Sequence, residues 1–139
     1  MATDALFLDT AYIYALFNSR DQWHAKAVEW QKKLDADSRP LLTTGFVLVE
    51  VADGLAALKF RQAAATIIHS LRENPLVNVI PVSPTLFAQA LSLYEQRPDK
   101  DWGLTDCASF VAMSENNITE ALTADDHFRQ AGYTALLLD

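Results

Sequence analysis

Leu6-Phe7-Leu8-Asp9-Thr10 is the stretch whose reading decides the fold. With Ala5 it makes a short apolar run, 5–8, of the kind that forms a buried strand. The run stops at a carboxylate and a hydroxyl, and Ala11 to Phe17 then has helical character, giving a first helix over 10–18. A carboxylate at the carboxyl end of a buried strand stands where open α/β sheets place their ligands.

Outward from that stretch, strands and helices alternate. Asp21 reads as the N-cap of a helix over 22–36, with Trp23, Ala27, Trp30 and Leu34 as its apolar stripe. Strands are expected at 41–43, 77–82, 119–123 and 134–138, and further helices at 46–58, 60–73, 84–96, 104–115 and 126–131. Asn74-Pro75 stops one helix, and Ser83-Pro84 starts the next with a cap and a proline at its first position. Pro81 marks its strand as an edge, and Gly132 suits the position after a helix end. This alternation predicts a mostly parallel sheet of about five strands flanked by helices, in one α/β domain over 1–139.

Composition agrees. Half of the 139 residues are hydrophobic and 21% are charged, a balance suited to a globular core. No apolar run approaches the ~20 residues that span a bilayer. Met1-Ala2-Thr3-Asp4 has no basic segment of the kind that opens a signal peptide, and Cys107 is the sole cysteine. A cytoplasmic location is the expectation. The net charge of −7 argues against a protein that coats nucleic acid through a basic face.

Several acids recur at junctions. Asp9, Asp106 and Asp125 each have a structural explanation as a helix cap or a first-turn carboxylate. Glu50 lies in the apolar stretch Phe46-Val47-Leu48-Val49-Glu50-Val51-Ala52, where a dry carboxylate is costly unless paired or bound to metal, with a salt bridge or a solvent-facing helix edge as the other readings. Asp53, one turn on, reads as a solvated surface acid. In a parallel sheet these junctions share one edge, so the acids can converge without being close in sequence. Clustered like charges repel, and a divalent cation relieves that repulsion. Oxygen ligands, with no cysteine or histidine constellation, favour Mg²⁺ or Mn²⁺ over Zn²⁺.

Four segments carry a resemblance. Phe7-Leu8-Asp9-Thr10, Thr43 to Leu55, Leu104-Thr105-Asp106-Cys107-Ala108-Ser109-Phe110 and Leu122-Thr123-Ala124-Asp125-Asp126-His127-Phe128 occur in the order of a PIN domain. Over essentially its whole length the chain resembles the VapC-type toxin ribonucleases of that family. The resemblance implies a catalytic, metal-binding quartet of Asp9, Glu50, Asp106 and Asp125, with Thr10 and Thr123 as supporting hydroxyls. Asp101 matches an extra acid of some members, and a plain loop aspartate is the other reading. Asp126 doubles the last motif, but the spacing to His127-Phe128 favours Asp125.

The implied activity is endonucleolytic cleavage of RNA with one or two Mg²⁺ or Mn²⁺ ions, leaving a 5′ phosphate and a 3′ hydroxyl. A small basic antitoxin and a homodimer are the implied partners. Arg20, Lys26, Lys59 and Arg61 are candidates for contacting RNA at the mouth. His24, His69 and His127 read as surface or packing residues. Cys107 reads as a packing residue, and Trp23 and Trp30 as core or dimer contacts. Trp102 is expected to cover the core at its loop, with stacking on a nucleobase as the alternative. Two other classes compete. One is a catalytically silent PIN-like module that binds RNA or protein. The other is an aspartyl-phosphate phosphatase using Asp9, which would want an aspartate where Ala11 stands.

Overall fold

The computed structural model describes residues 4–139. Among them run five strands, β1 (Leu6–Leu8), β2 (Leu41–Thr44), β3 (Val77–Ile80), β4 (Glu120–Leu122) and β5 (Thr134–Ala135). Between them lie seven helices. The first four are α1 (Thr10–Phe17), α2 (His24–Asp37), α3 (Gly45–Gly54) and α4 (Leu58–Glu73). The remaining three are α5 (Pro84–Gln96), α6 (Leu104–Glu115) and α7 (Asp126–Gln130). The sheet is wholly parallel in the order β3-β2-β1-β4-β5. This is the α/β architecture expected from the alternation.

β1 is central and completely buried, as its unbroken apolar run requires. From it the chain first builds outward through β2 to β3, then returns to build β4 and β5 on the other side. The strand order therefore reverses at β1, and the crevice at its carboxyl end is the topological switch point where such sheets bind ligands. Asp9 follows β1 directly. Glu50 is carried by the helix after β2, and Asp125 by the turn after β4.

An aromatic column ties the later helices to that centre. Phe7 of β1 lies 6.2 Å from Phe128 of α7, which meets Phe110 of α6 edge to face at 5.0 Å. Phe110 in turn meets Trp102 at 5.0 Å. Trp102 is buried and donates its indole N–H to Gln130 Oε1 at 3.1 Å, so it covers the core as its loop position suggested. Cys107 is buried inside α6, and burial pushes its thiol up to about 11.

Several boundaries shift for local reasons. α2 begins at His24 because Asp21 Oδ1 accepts the Trp23 amide at 2.8 Å, closing a turn instead of capping the helix. Trp23 and Trp30 are half-buried against the core. α3 ends at Gly54, short of 58, and α4 starts at Leu58. β3 stops at Ile80, before Pro81, and is the edge strand that Pro81 implied. β5 has two residues, although Leu136 and Leu137 continue bonding to the carbonyls of Ala121 and Thr123. Gly132 follows α7 with φ of 94°, a conformation that favours glycine.

Candidate metal centre

Asp9 is 4% exposed at the end of β1. It occupies the N-cap position of α1 without a side-chain capping bond. Its Oδ2 instead accepts from Thr123 Oγ1 at 2.7 Å, a bond spanning the switch point from β4 to β1. Thr123 Oγ1 also accepts the Asp125 amide at 3.0 Å, so one buried hydroxyl fixes two of the acids. Burial pushes Asp9 up to about 7. The Thr123 bond works against that rise, and the charges of Asp106 and Glu50 add to it.

Asp106 lies in the first turn of α6, where its Oδ2 accepts the Gly103 amide at 3.2 Å. The same oxygen lies 2.9 Å from His127 Nδ1, which is 3.4 Å from Asp125 Oδ1. Asp125 Oδ1 takes the His127 amide at 2.9 Å and so caps α7. Ligand atoms of Asp106, Asp125 and His127 all lie within 4.8 Å of one another. Burial, then the Asp125 charge, raises the Asp106 carboxyl above its ordinary range, with His127 opposing. Burial acts to lower His127, but its bond to Asp106 and the charges of Asp125, Asp106 and Asp101 outweigh that and raise it.

The structure corrects the reading of His127 and decides between those of Glu50. His127 is not a bystander: its ring bridges two of the acids. The signal was available, since a histidine two residues after a capping aspartate is placed to reach that cap. Glu50 is not in a dry environment. α3 buries Val47, Leu48 and Val51, while Glu50 is exposed and Val49 is 56% exposed. Glu50 thus stands on a solvent-facing helix edge, and its link to the site is that its charge reaches Asp9.

The other candidates separate. Asp101 is exposed on the loop before α6, and its charge reaches His127. Asp126 turns away, its Oδ2 accepting from Gln130 one helical turn on at 3.2 Å. His24 Nδ1 donates to the Ala15 carbonyl at 2.7 Å, as a packing residue. Lys26 is tied to the Asp139 carbonyl. Thr43, near the end of β2, takes its role from the fold. Its buried hydroxyl donates to the Leu8 carbonyl at 2.8 Å, bracing the strand end that carries Asp9.

The donor set suits a hard divalent cation. Carboxylates converge, and Thr10 Oγ1 beside Asp9 is buried with no hydrogen-bond partner among the described residues. An α/β domain with acids gathered at its switch point is the class this fold and geometry define. The chain belongs to the PIN domain family, whose model matches residues 6–132.

Among solved structures it is similar to Mycobacterium tuberculosis VapC20, a Sarcin-Ricin loop cleaving toxin. The match has 28% identity and a TM-score of 0.79, covering 93% of this chain and 96% of that one. It also shares its fold with FitAcB from Neisseria gonorrhoeae, at 18% identity and a TM-score of 0.63, covering 94% of this chain and 95% of that one. The comparison with curated proteins gave no match.

Proposed function

We propose that this protein is a divalent-metal-dependent endoribonuclease and the toxin of a toxin–antitoxin pair. The observation that carries the reading is the convergence of Asp9, Asp106 and Asp125 at the switch point, braced by Thr123 and His127. Likeness to a toxin that cleaves the Sarcin-Ricin loop supports RNA as the substrate class.

Asp9, Glu50, Asp106 and Asp125 would hold Mg²⁺ or Mn²⁺, with Asp101 at the rim and Thr10 beside Asp9. When bound, the cation supplies Lewis-acid polarisation of the phosphodiester and a lowered pKa for the attacking water. The protein's own groups do the positioning. Thr123 holds one oxygen of Asp9, leaving its other oxygen for the ligand. His127 and the Gly103 amide fix the orientation of Asp106, and Asp125 is locked by the amide it caps. Left uncompensated, these carboxylates would repel a phosphodiester, so substrate entry and cation binding are coupled.

A short basic protein is the partner this reading implies, since an acidic mouth attracts cationic side chains. A second copy of the chain is the other partner proposed, through the exposed Phe87, Leu91 and Tyr94 of α5 and Val49 of α3. Purified protein incubated with total RNA in Mg²⁺ or Mn²⁺ tests the activity. Cleavage that excess EDTA and Asp106→Asn both abolish is expected; cleavage surviving either one refutes the metal mechanism.

A further inference from the structure

One nitrogen stands among the oxygens of the acid site. His127 Nδ1 lies 2.9 Å from Asp106 Oδ2 and 3.4 Å from Asp125 Oδ1, and the three residues offer donor atoms within 4.8 Å of one another. Local backbone geometry puts the ring there. Asp125 caps α7 and takes the His127 amide at 2.9 Å, so the turn that fixes the carboxylate also fixes the histidine beside it. Among the described residues the ring bonds to nothing but these acids. Nε2 is left to carry the proton of a neutral imidazole, and Nδ1 can then offer its lone pair.

The spacings suit a cation as well as a hydrogen bond. With no ion bound, Nδ1–H donates to Asp106. An octahedral ion with ligands at about 2.1 Å holds adjacent ones about 3 Å apart, close to both distances from Nδ1. An ion can therefore enter among the three donors with little movement of any of them. It would also offset two of the negative charges gathered from Asp9, Asp106 and Asp125. All three side chains are partly exposed, so the path from solvent is open. Independently, Thr10 Oγ1 next to Asp9 is buried and unbonded among the described residues, a polar atom still lacking its partner.

We propose that His127 Nδ1 is itself a ligand of the divalent cation, beside Asp106 and Asp125, and that this nitrogen makes the centre prefer Mn²⁺ to Mg²⁺. The proposal rests on the metal-dependent reading above and adds a donor of another kind to its carboxylates. Carboxylate oxygen suits Mg²⁺ and Mn²⁺ alike, whereas imidazole suits transition metals, so a nitrogen in the set moves selectivity away from Mg²⁺. If His127 only oriented Asp106, its loss would weaken both ions together.

The test loads the full chain with Mn²⁺ and reads the bound ion by pulsed electron paramagnetic resonance. Hyperfine coupling to a nitrogen is expected, and labelling the histidines with the heavy nitrogen isotope should change it. His127→Asn keeps an amide that can donate to Asp106 but removes the imidazole, and should abolish the coupling. In calorimetry the same variant should bind Mn²⁺ at least about tenfold more weakly, lose less affinity for Mg²⁺, and keep its melting temperature. Bound Mn²⁺ without nitrogen coupling, coupling that survives His127→Asn, or equal losses for the two ions overturns the proposal. If the parent cuts RNA with Mn²⁺ yet shows no coupling, the nitrogen ligand alone falls. If the coupling is present but no metal-dependent cutting occurs, the nuclease reading falls alone. No Mn²⁺ binding by the parent removes both.

Discussion

The two flanks of Asp9 are built differently. On the β4 side, side chains lock one another: Thr123 holds Asp9 and the Asp125 amide, and His127 spans Asp106 and Asp125. On the β2 side, Glu50 is exposed, and the tie across to α1 is a single bond from Tyr14 to its backbone carbonyl. One flank is organised before any ligand arrives. The other is held in place by helix packing and keeps an exposed carboxylate at the rim. Under the proposed function, the rigid side would hold the cation and the open side would meet the substrate.

The largest expected effect tests the rigid side through Asp9. Its folded pKa, about 7, lies above that of the unfolded chain, so between pH ~4 and ~7 the native state binds the extra proton. Stability of the metal-free protein is therefore full below pH ~4 and lost as pH rises to ~7, by up to roughly 4 kcal/mol in all and about 3 kcal/mol between pH 5 and pH 8. The raised Asp106 and His127 act in the same direction. Urea unfolding in EDTA at pH 5 and pH 8 measures it, and a flat profile would show Asp9 to be better solvated than its burial implies. Asp9→Asn should remove most of the dependence, and saturating Mn²⁺ should reverse the loss.

Asp106→Asn comes next. Substitutions of groups that only orient metal ligands already cost about 10–100-fold. Loss of a direct ligand should lower cleavage by at least roughly a hundredfold, with the melting temperature kept. Thr123→Val removes the bond to Asp9 without changing shape, and should weaken Mn²⁺ binding by about 10–100-fold in calorimetry.

The open side is probed by Gly54→Ala, which drives a methyl into Tyr14 and should cost about 1–3 kcal/mol of stability. Tyr14→Phe should recover part of that by removing the hydroxyl. Glu50→Gln is the smallest in stability, within about 0.5 kcal/mol because the group is exposed, yet it should still reduce cleavage. If Glu50→Gln instead unfolds the protein, the contrast between the flanks is wrong.

How far the fold was legible depended on the element. β1, α5 and α6 were readable nearly to the residue, because an apolar run, a Ser-Pro start and an Asn-Asn stop act locally. β5 was not: its pairing continues through Leu136 and Leu137 only because Ala121 and Thr123 lie beside them. Among site residues, the aspartates at strand ends could be picked out singly as caps, and Asp106 and Asp125 do cap their helices. Their second role was visible only in combination. Glu50 shows the limit, since the apolar neighbours that suggested burial lie on the other face of its helix. His127 shows it in reverse, as an unremarkable residue in the sequence that becomes the bridge between two acids.

The sequence by itself determined the alternation of strands and helices, the acid at the end of the central strand, and the family order of the motifs. These follow from short-range periodicity and from caps, which act over a few residues. Only the tertiary structure decided that Thr123 bonds Asp9 across 114 positions, that Glu50 faces solvent, and that Tyr14 needs a glycine at 54. Those facts depend on which strands become neighbours at the point where the sheet order reverses, and no local pattern records that adjacency.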